Sequence, residues 1–160
     1  MINIILLILA SFMASCGYTS RSLIDQNVQS VYVPIFDNDT FRRDLEYDLT
    51  KAIKEEILFR TQLKIVDEKH ADTILTGILK DVQENVLIEN PDAVTVESRV
   101  NVFVQFSWLD QRTGRILIDK QNVAASAEFI ATRNEDIRTG EIEAFVNTAR
   151  KIINLMERKW

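Results

Sequence analysis

The most regular alternation of hydrophobic and polar residues in the chain runs from residue 94 to residue 108. Most even positions are apolar, namely Val94, Val96, Val100, Val102, Val104, Phe106 and Trp108. The odd positions include Thr95, Glu97, Arg99, Asn101, Gln105 and Ser107. An alternation of period two predicts a strand, because successive side chains of a strand point to opposite faces. We therefore expect one buried and one solvated face.

A hairpin and two further strands are predicted around this segment. Residues 110–114 read Asp-Gln-Arg-Thr-Gly, which favours a loop in which Gly114 takes a positive φ. The return strand, over about residues 115–131, has an apolar face made of Leu117, Val123, Ala125, Ala127 and Phe129. The preceding strand, over residues 73–88, has apolar residues at even positions, namely Ile74, Ile78, Val82, Val86 and Ile88. Strands of this length make a long, narrow sheet.

Residues 30–66 predict a strand, a helix and a second strand. Residues 30–36 alternate in the manner of a strand, and Pro34 indicates an edge or a break in it. From Phe41 onwards, apolar residues recur at helical spacing with charged residues between them, which predicts an amphipathic helix near residues 42–59. A short apolar strand is expected over residues 63–66.

The C-terminal segment predicts a second amphipathic helix. Apolar residues recur at helical spacing from Ile137 to Met156, Asn134 is a candidate N-cap, and Gly140 is a weak point in the helix. Helices at these two places around a set of strands indicate an α+β fold. We expect two helices packed on one face of a four- to five-stranded mixed, mostly antiparallel sheet.

The N-terminus is typical of a bacterial lipoprotein precursor. Residues 4–13 form an apolar run of about ten, whereas a helix needs roughly 20 residues to cross a bilayer. Residues 13–16, Met-Ala-Ser-Cys, resemble a lipobox, whose cysteine becomes the lipidated first residue after cleavage. We therefore expect a signal peptide over residues 1–15, a lipidated tether over residues 16–29 and a single domain over residues 30–160.

Cys16 is the only cysteine among the 160 residues. It therefore makes no internal disulfide and no cysteine-based zinc site. The alternative to lipidation is that residues 1–15 form a buried apolar helix and that Cys16 is an ordinary thiol.

Composition and motifs exclude several classes of function. A formal net charge of −5 gives no electrostatic footprint for nucleic acid. His70 is the only histidine, and a metal site there would need Asp67 or Asp72 to converge on it, whereas a solvated loop histidine is the simpler interpretation. The sequence has no Gly-rich phosphate loop, paired-His helix or nucleophile elbow. We expect no enzymatic activity, no metal and no cofactor.

Four basic residues near the predicted hairpin are candidates for binding phosphate groups. Arg99 lies on the polar face of its strand, Arg112 and Arg115 lie at the loop, and Lys120 lies further along the return strand. Basic groups at one end of an elongated sheet are suited to the phosphates of a lipid headgroup. The alternative is ordinary scattered surface charge.

Three short motifs support a more specific interpretation. Cys16-Gly17-Tyr18 follows the signal peptide, and residues 31–40 read Val-Tyr-Val-Pro-Ile-Phe-Asp-Asn-Asp-Thr, with fitting residues behind them at Leu45-Glu46 and in Leu-Thr-Lys-Ala at 49–52. Residues 71–77 read Ala-Asp-Thr-Ile-Leu-Thr-Gly. Residues 31–40 resemble the V-P-x-F-x-N-x-T pattern of the LptE lipoproteins, which assemble lipopolysaccharide in the outer membrane. Residues 71–77 resemble the A-D-x-x-L-x-G pattern of the same family. The resemblance spans nearly the whole mature chain.

The resemblance implies an α+β domain that sits as a plug inside a large β-barrel partner, LptD, and helps to deliver lipopolysaccharide to the outer leaflet. It also implies a lipid anchor on Cys16 in the outer membrane. Arg99, Arg112, Arg115 and Lys120 then become candidates for binding lipopolysaccharide. Two alternatives stay open: a periplasm-facing lipoprotein that regulates a cell-wall synthase or another envelope machine, and a lipid-modifying hydrolase, which would require an activated nucleophile.

Overall fold

The computed structural model describes residue 24 and residues 27–89, 95–130 and 136–158. In chain order the elements are β1 (Ser30–Tyr32), β2 (Asp37–Asn38), α1 (Leu45–Arg60), β3 (Lys64–Ile65), a 3₁₀ turn (Glu68–His70), β4 (Thr73–Glu89), β5 (Thr95–Asp110), β6 (Ile116–Ile130) and α2 (Ile137–Arg158). The expected signal peptide, Cys16 and the candidate cap Asn134 lie outside the described residues.

The strands form one open sheet in the order β3-β1-β4-β5-β6, and β2 pairs with β4. The short strands pair in parallel, whereas the long strands β4, β5 and β6 form antiparallel pairs. The strand predicted over residues 30–36 is shortened to β1, which ends before Pro34, a residue with no N–H to donate to a ladder; β2 follows just beyond the predicted strand. The sheet therefore has six strands rather than the four to five expected, and its mixed, mostly antiparallel character is confirmed.

Both helices pack on the sheet through one hydrophobic core, as predicted. α2 contacts β5 and β6, and α1 packs mainly against α2. The largest fully buried side chains are Trp108, Phe36, Phe106, Phe145, Leu49, Ile53, Ile57, Leu75, Leu79, Ile152, Ile153 and Met156. Ile24 and Val28 belong to the same core, so packing begins before the expected domain start at residue 30. None of the helices in the described part of the chain is both long and apolar enough to cross a bilayer.

The buried face of β5 is the predicted one, because its even residues from Val100 to Trp108 are at most 1% exposed. The even apolar residues of β4 do not form one buried face. In the first half of the strand Leu75 and Leu79 are fully buried, while the even residue Ile74 is only partly buried. A register shift at Lys80 then inserts one residue and exchanges the two faces of the strand. Near the end of the strand the even residues Val86 and Ile88 are exposed.

A second register shift changes the start of β6. Ladder pairing passes from Phe106 with Gln121 to Trp108 with Ile118, and Lys120 has a positive φ of 42° inside the shift. Ile118 is consequently buried where Leu117 was expected to be. Beyond the shift the four predicted residues from Val123 to Phe129 are buried.

Gly140 faces the sheet where α2 packs on β5 and β6. A Cβ added to it would lie 2.7 Å from Phe129 Cδ1 and 3.1 Å from Val100 Cγ2. The weak point predicted in the helix is therefore the place where the absence of a side chain lets α2 pack close to β5 and β6.

Candidate functional site

The carboxylate of Asp72 fastens the start of β1 to the segment before β4. Asp72 Oδ2 accepts hydrogen bonds from Gln29 N at 2.9 Å, Ser30 N at 3.0 Å and Ser30 Oγ at 2.9 Å. The Gln29 N–H is the largest influence that holds the pKa of this carboxyl below its ordinary value; partial burial opposes it, and Ser30 and Arg112 add to the lowering. Asp72 thus holds the start of β1, which follows the expected tether, against the segment before β4.

Arg112, one of the predicted phosphate ligands, lies between two carboxylates in the β5–β6 turn (residues 111–115). Its Nε is 3.8 Å from Asp72 Oδ1 and 3.7 Å from Asp110 Oδ1. Burial raises the pKa of Asp110, but hydrogen bonds from Thr113 and from the Arg112 N–H outweigh burial, so the pKa is lowered. Both acids therefore stay ionised at neutral pH, and a phosphate at Arg112 would have to compete with them.

The four predicted basic residues occupy two separate places. Arg112 and Arg115 lie in the β5–β6 turn, and Lys120 lies close to it on β6, where its N–H donates to Ser107 Oγ at 2.9 Å. Arg99 precedes the end of β5 at Asp110 by 11 residues, which is about 36 Å at 3.3 Å per residue. Arg99 forms an ion pair with Glu128, with Nε 3.1 Å from Oε1. The structure thus brings three of the four residues to one end of the hairpin.

His70 lies in the exposed 3₁₀ turn, and its Nδ1 is 2.6 Å from Asp67 Oδ1. Asp72 instead faces Ser30 and Arg112. Within residues 27–89, 95–130 and 136–158, no three His, Cys, Asp or Glu side chains are grouped as metal ligands would be.

The two longer motifs noticed in the sequence pack against each other. Phe36 is 2% exposed and covers Gly77 of β4. A Cβ at residue 77 would lie 2.6 Å from Phe36 Cδ2 and 2.8 Å from Gln105 O, so a side chain does not fit there. The N–H of Phe36 donates to Thr50 Oγ1 of α1 at 3.0 Å. Phe36 thereby connects the segment between β1 and β2 to the sheet and to α1.

A tightly bonded loop follows Phe36, and we call residues 38–44 the motif loop. Asn38 Oδ1 accepts hydrogen bonds from Thr40 N at 2.9 Å and Thr40 Oγ1 at 2.7 Å. Asn38 Nδ2 donates to Arg42 O at 2.7 Å and to Glu46 Oε2 at 2.6 Å. The Asn and Thr of the motif therefore set the path of the loop into α1.

The outer part of the motif loop is fastened to β4 and α2. Asp39 N donates to Leu79 O at 2.9 Å, and Lys80 Nζ lies 2.7 Å from Asp39 Oδ2. Arg42 forms an ion pair with Glu141 of α2, whose side chain is only 1% exposed. A buried carboxylate is costly unless it is paired, so Glu141 fixes the position of Arg42.

Phe41 is the apolar residue that the motif loop presents to solvent, and its exposure is 107%. The helical spacing of the sequence includes Phe41 as an apolar helix position, but α1 begins only at Leu45. Asp44, at the N-cap position, has a positive φ of 71°, which turns the chain before the helix starts. Periodicity alone therefore concealed this exposed aromatic residue, although the Asn-x-Thr motif before it was visible.

Solved structures share this fold at low sequence identity. A hypothetical protein, CT253, from Chlamydia trachomatis has a TM-score of 0.58 at 9% identity, over 81% of this chain and 96% of that chain. Rare lipoprotein B from Shewanella oneidensis has a TM-score of 0.54 at 15% identity, over 81% of this chain and 95% of that chain. An uncharacterized lipoprotein B from Nitrosomonas europaea has a TM-score of 0.57 at 10% identity, over 86% of both chains. At these identities the likeness concerns the fold.

Sequence comparison gives the family itself. No curated protein sequence matches the chain. The model of the lipopolysaccharide-assembly family LptE matches residues 28–156, which is most of the chain and includes both longer motifs. The resemblance drawn from those motifs is thereby confirmed, and the chain belongs to the LptE family of lipopolysaccharide-assembly proteins.

Proposed function

We propose that the chain is an outer-membrane lipoprotein, anchored through acyl chains on Cys16, that fills an LptD-like β-barrel and assists delivery of lipopolysaccharide to the outer leaflet. The family match over residues 28–156 carries this proposal. In this role the chain acts by binding, without catalysis and without a cofactor.

The dimensions of the sheet support the role of a plug. The strands β4, β5 and β6 have 17, 16 and 15 residues. At 3.3 Å per residue they extend over about 50 Å, slightly more than the 40–45 Å thickness of a bilayer with its headgroups. A sheet of this length, aligned with a barrel, reaches along the whole lumen.

The polarity of the sheet face that the helices leave uncovered also supports the role of a plug. Amide side chains pair across the strands on this face, with Asn101 Nδ2 2.8 Å from Asn85 Oδ1 and Gln105 Nε2 3.1 Å from Asn122 Oδ1. The charge of Arg99 on this face is matched by its ion pair. The lumen of a membrane β-barrel is polar, so an amide-rich surface can meet its wall without burying an unpaired charge.

Within this role we propose that Arg112, Arg115 and Lys120 contact phosphate groups of lipopolysaccharide, and that Arg99 makes a separate contact. Arg112, Arg115 and Lys120 are all exposed at or near the turn, and Arg112 and Arg99 also face carboxylates. We expect the three residues near the turn to contribute together to the binding.

Purification of the tagged full chain from outer membranes in mild detergent tests the proposal. We expect one large β-barrel protein to be recovered in about equal amount, and Cys16→Ala to shift the chain out of the membrane fraction. Absence of a barrel protein from the wild-type eluate would reject the plug. Recovery of a protein with a periplasmic enzymatic domain instead would favour the regulator of an envelope machine.

A further inference from the structure

We infer that Phe41 is a docking anchor, which the motif loop holds outward for insertion into an apolar pocket of a protein partner. The inference rests on the proposed function only for the identity of that partner, which we take to be the barrel protein. The anchor itself follows from exposure, from the bonding of the loop and from its charge.

Exposure is the first observation. Phe41 is 107% exposed, whereas the nearest apolar residues on either side of the motif loop, Phe36 and Leu45, are 2% and 3% exposed. A phenylalanine ring left entirely in water lacks the favourable free energy that its burial would contribute. Burial against a partner would recover that gain, because aromatic residues in fitted pockets dominate the energy of protein interfaces.

The bonding of the loop is the second observation. Asn38 makes four side-chain hydrogen bonds within the loop and to α1. Lys80 and Glu141 fasten Asp39 and Arg42 from β4 and α2. A loop held at these points loses little conformational freedom when Phe41 is buried by a partner, so binding is correspondingly tighter.

Charge distinguishes a protein partner from a lipid surface. The motif loop contains two aspartates and two arginines, a net charge of zero. A segment with this charge is not attracted to an anionic leaflet, which recruits clusters of basic residues. Aromatic residues and arginine are, in contrast, enriched at protein interfaces. The partner site that fits is an apolar pocket for the Phe41 ring with a carboxylate at its rim for Arg43, which is exposed beside it.

Phe59 provides a matched control within the same chain. It is 87% exposed in the last turn of α1, outside the motif loop. A comparison of Phe41→Ser with Phe59→Ser therefore separates the anchor from the general effect of removing an exposed phenylalanine. Neither ring is buried in the domain, so neither substitution should change the thermal unfolding midpoint.

The experiment measures recovery of the barrel protein by tagged full-length variants from outer membranes. We expect Phe41→Ser to lower recovery at least tenfold, Phe59→Ser to change it less than twofold, and Phe41→Trp to retain most of it. Wild-type recovery by Phe41→Ser, or equal losses in the two serine variants, would overturn the anchor while leaving the plug intact.

If the wild-type chain recovers no barrel, the proposed function fails and the anchor is decided separately. A benzophenone side chain placed at position 41 or 59 in living cells then reports the neighbours of each position. An adduct with one identified protein from position 41 alone supports the anchor. Adducts with lipid only, the same adducts from both positions, or no adduct at position 41 overturn it.

Discussion

The motif loop and the β5–β6 turn both carry arginines, yet the two regions use them differently. In the turn, Arg112 lies between Asp72 and Asp110, so its charge is largely matched inside the domain. In the motif loop, Arg42 is paired with the buried Glu141, and this pair helps to hold Phe41 outward. The loop therefore presents an apolar side chain to solvent, whereas the turn presents arginines next to the carboxylates of Asp72 and Asp110.

This difference teaches that residue type alone is a poor guide to what a surface offers. Arginines suggested a phosphate site in the sequence because guanidinium groups bind phosphates. Neighbouring carboxylates, which only the fold brings together, decide how much of that charge remains for a ligand. In the motif loop, by contrast, Arg42 pairs with the buried Glu141 and stabilises the loop.

Glycine substitutions give the largest expected contrast between the two regions. Gly77→Ala places a Cβ against the Phe36 ring below the motif loop, and we expect a loss of about 3 kcal/mol in the free energy of unfolding. Gly114 in the turn has open space around it but a φ of +69°, so Gly114→Ala should cost about 1 kcal/mol. Urea denaturation measures both. Equal losses would contradict the different roles assigned to the two glycines.

Asp72 connects the β5–β6 turn to the start of β1, and its effect on stability should depend on pH. Asp72→Asn removes the charge that accepts from Gln29 N and Ser30 N, so we expect a loss of about 1–2 kcal/mol at pH 7. The folded pKa lies below the ordinary value of 3.8, so the stabilisation is fully present above that value and is lost as the pH falls through the lower folded pKa.

Denaturation between pH 7 and pH 2 tests this dependence. The gap between wild type and Asp72→Asn should stay constant down to about pH 5 and close below it. Asp119→Asn is the control, since Asp119 is exposed on β6. A gap that persists unchanged at the lowest pH would show that the Asp72 charge is not responsible.

The smallest expected effect concerns the basic residues near the turn. The double variant Arg115→Glu and Lys120→Glu should weaken binding of purified lipopolysaccharide about threefold to tenfold, because two charge-assisted contacts to phosphate are lost. Arg112 is left in place, since a glutamate there would face two carboxylates. The matched double variant Lys51→Glu and Lys54→Glu on α1 should bind as wild type does. Unchanged binding by the first double variant would remove these residues from the proposed site.

Sequence patterns predicted the α+β class, both helices and the buried face of β5, because a long regular alternation leaves one consistent arrangement. They failed for β4, where the even residues before and after Lys80 look alike although the register shift puts them on opposite faces. Phe41 was missed for a similar reason, since its spacing fits a helix that begins only at Leu45. Bulges and loops depend on contacts between distant residues, which periodicity does not contain.

The motifs were more informative than the periodicity. Asp72, Gly77 and Asn38 match a family pattern, and each has a local role in the fold. Asp72 accepts hydrogen bonds from the start of the domain, Gly77 leaves room for the Phe36 ring, and Asn38 makes hydrogen bonds within the motif loop. The sequence contained the residues but not their partners. It therefore indicated the family correctly and left open which surface meets another molecule.

The central claim is that the chain assists lipopolysaccharide assembly at the outer membrane. Depletion of the chain in cells that normally make it, with lipopolysaccharide measured at the cell surface, tests this claim most directly. We predict that surface lipopolysaccharide and the amount of folded barrel protein in the outer membrane both fall, and that a wild-type copy restores both. Unchanged surface lipopolysaccharide after full depletion would contradict the account.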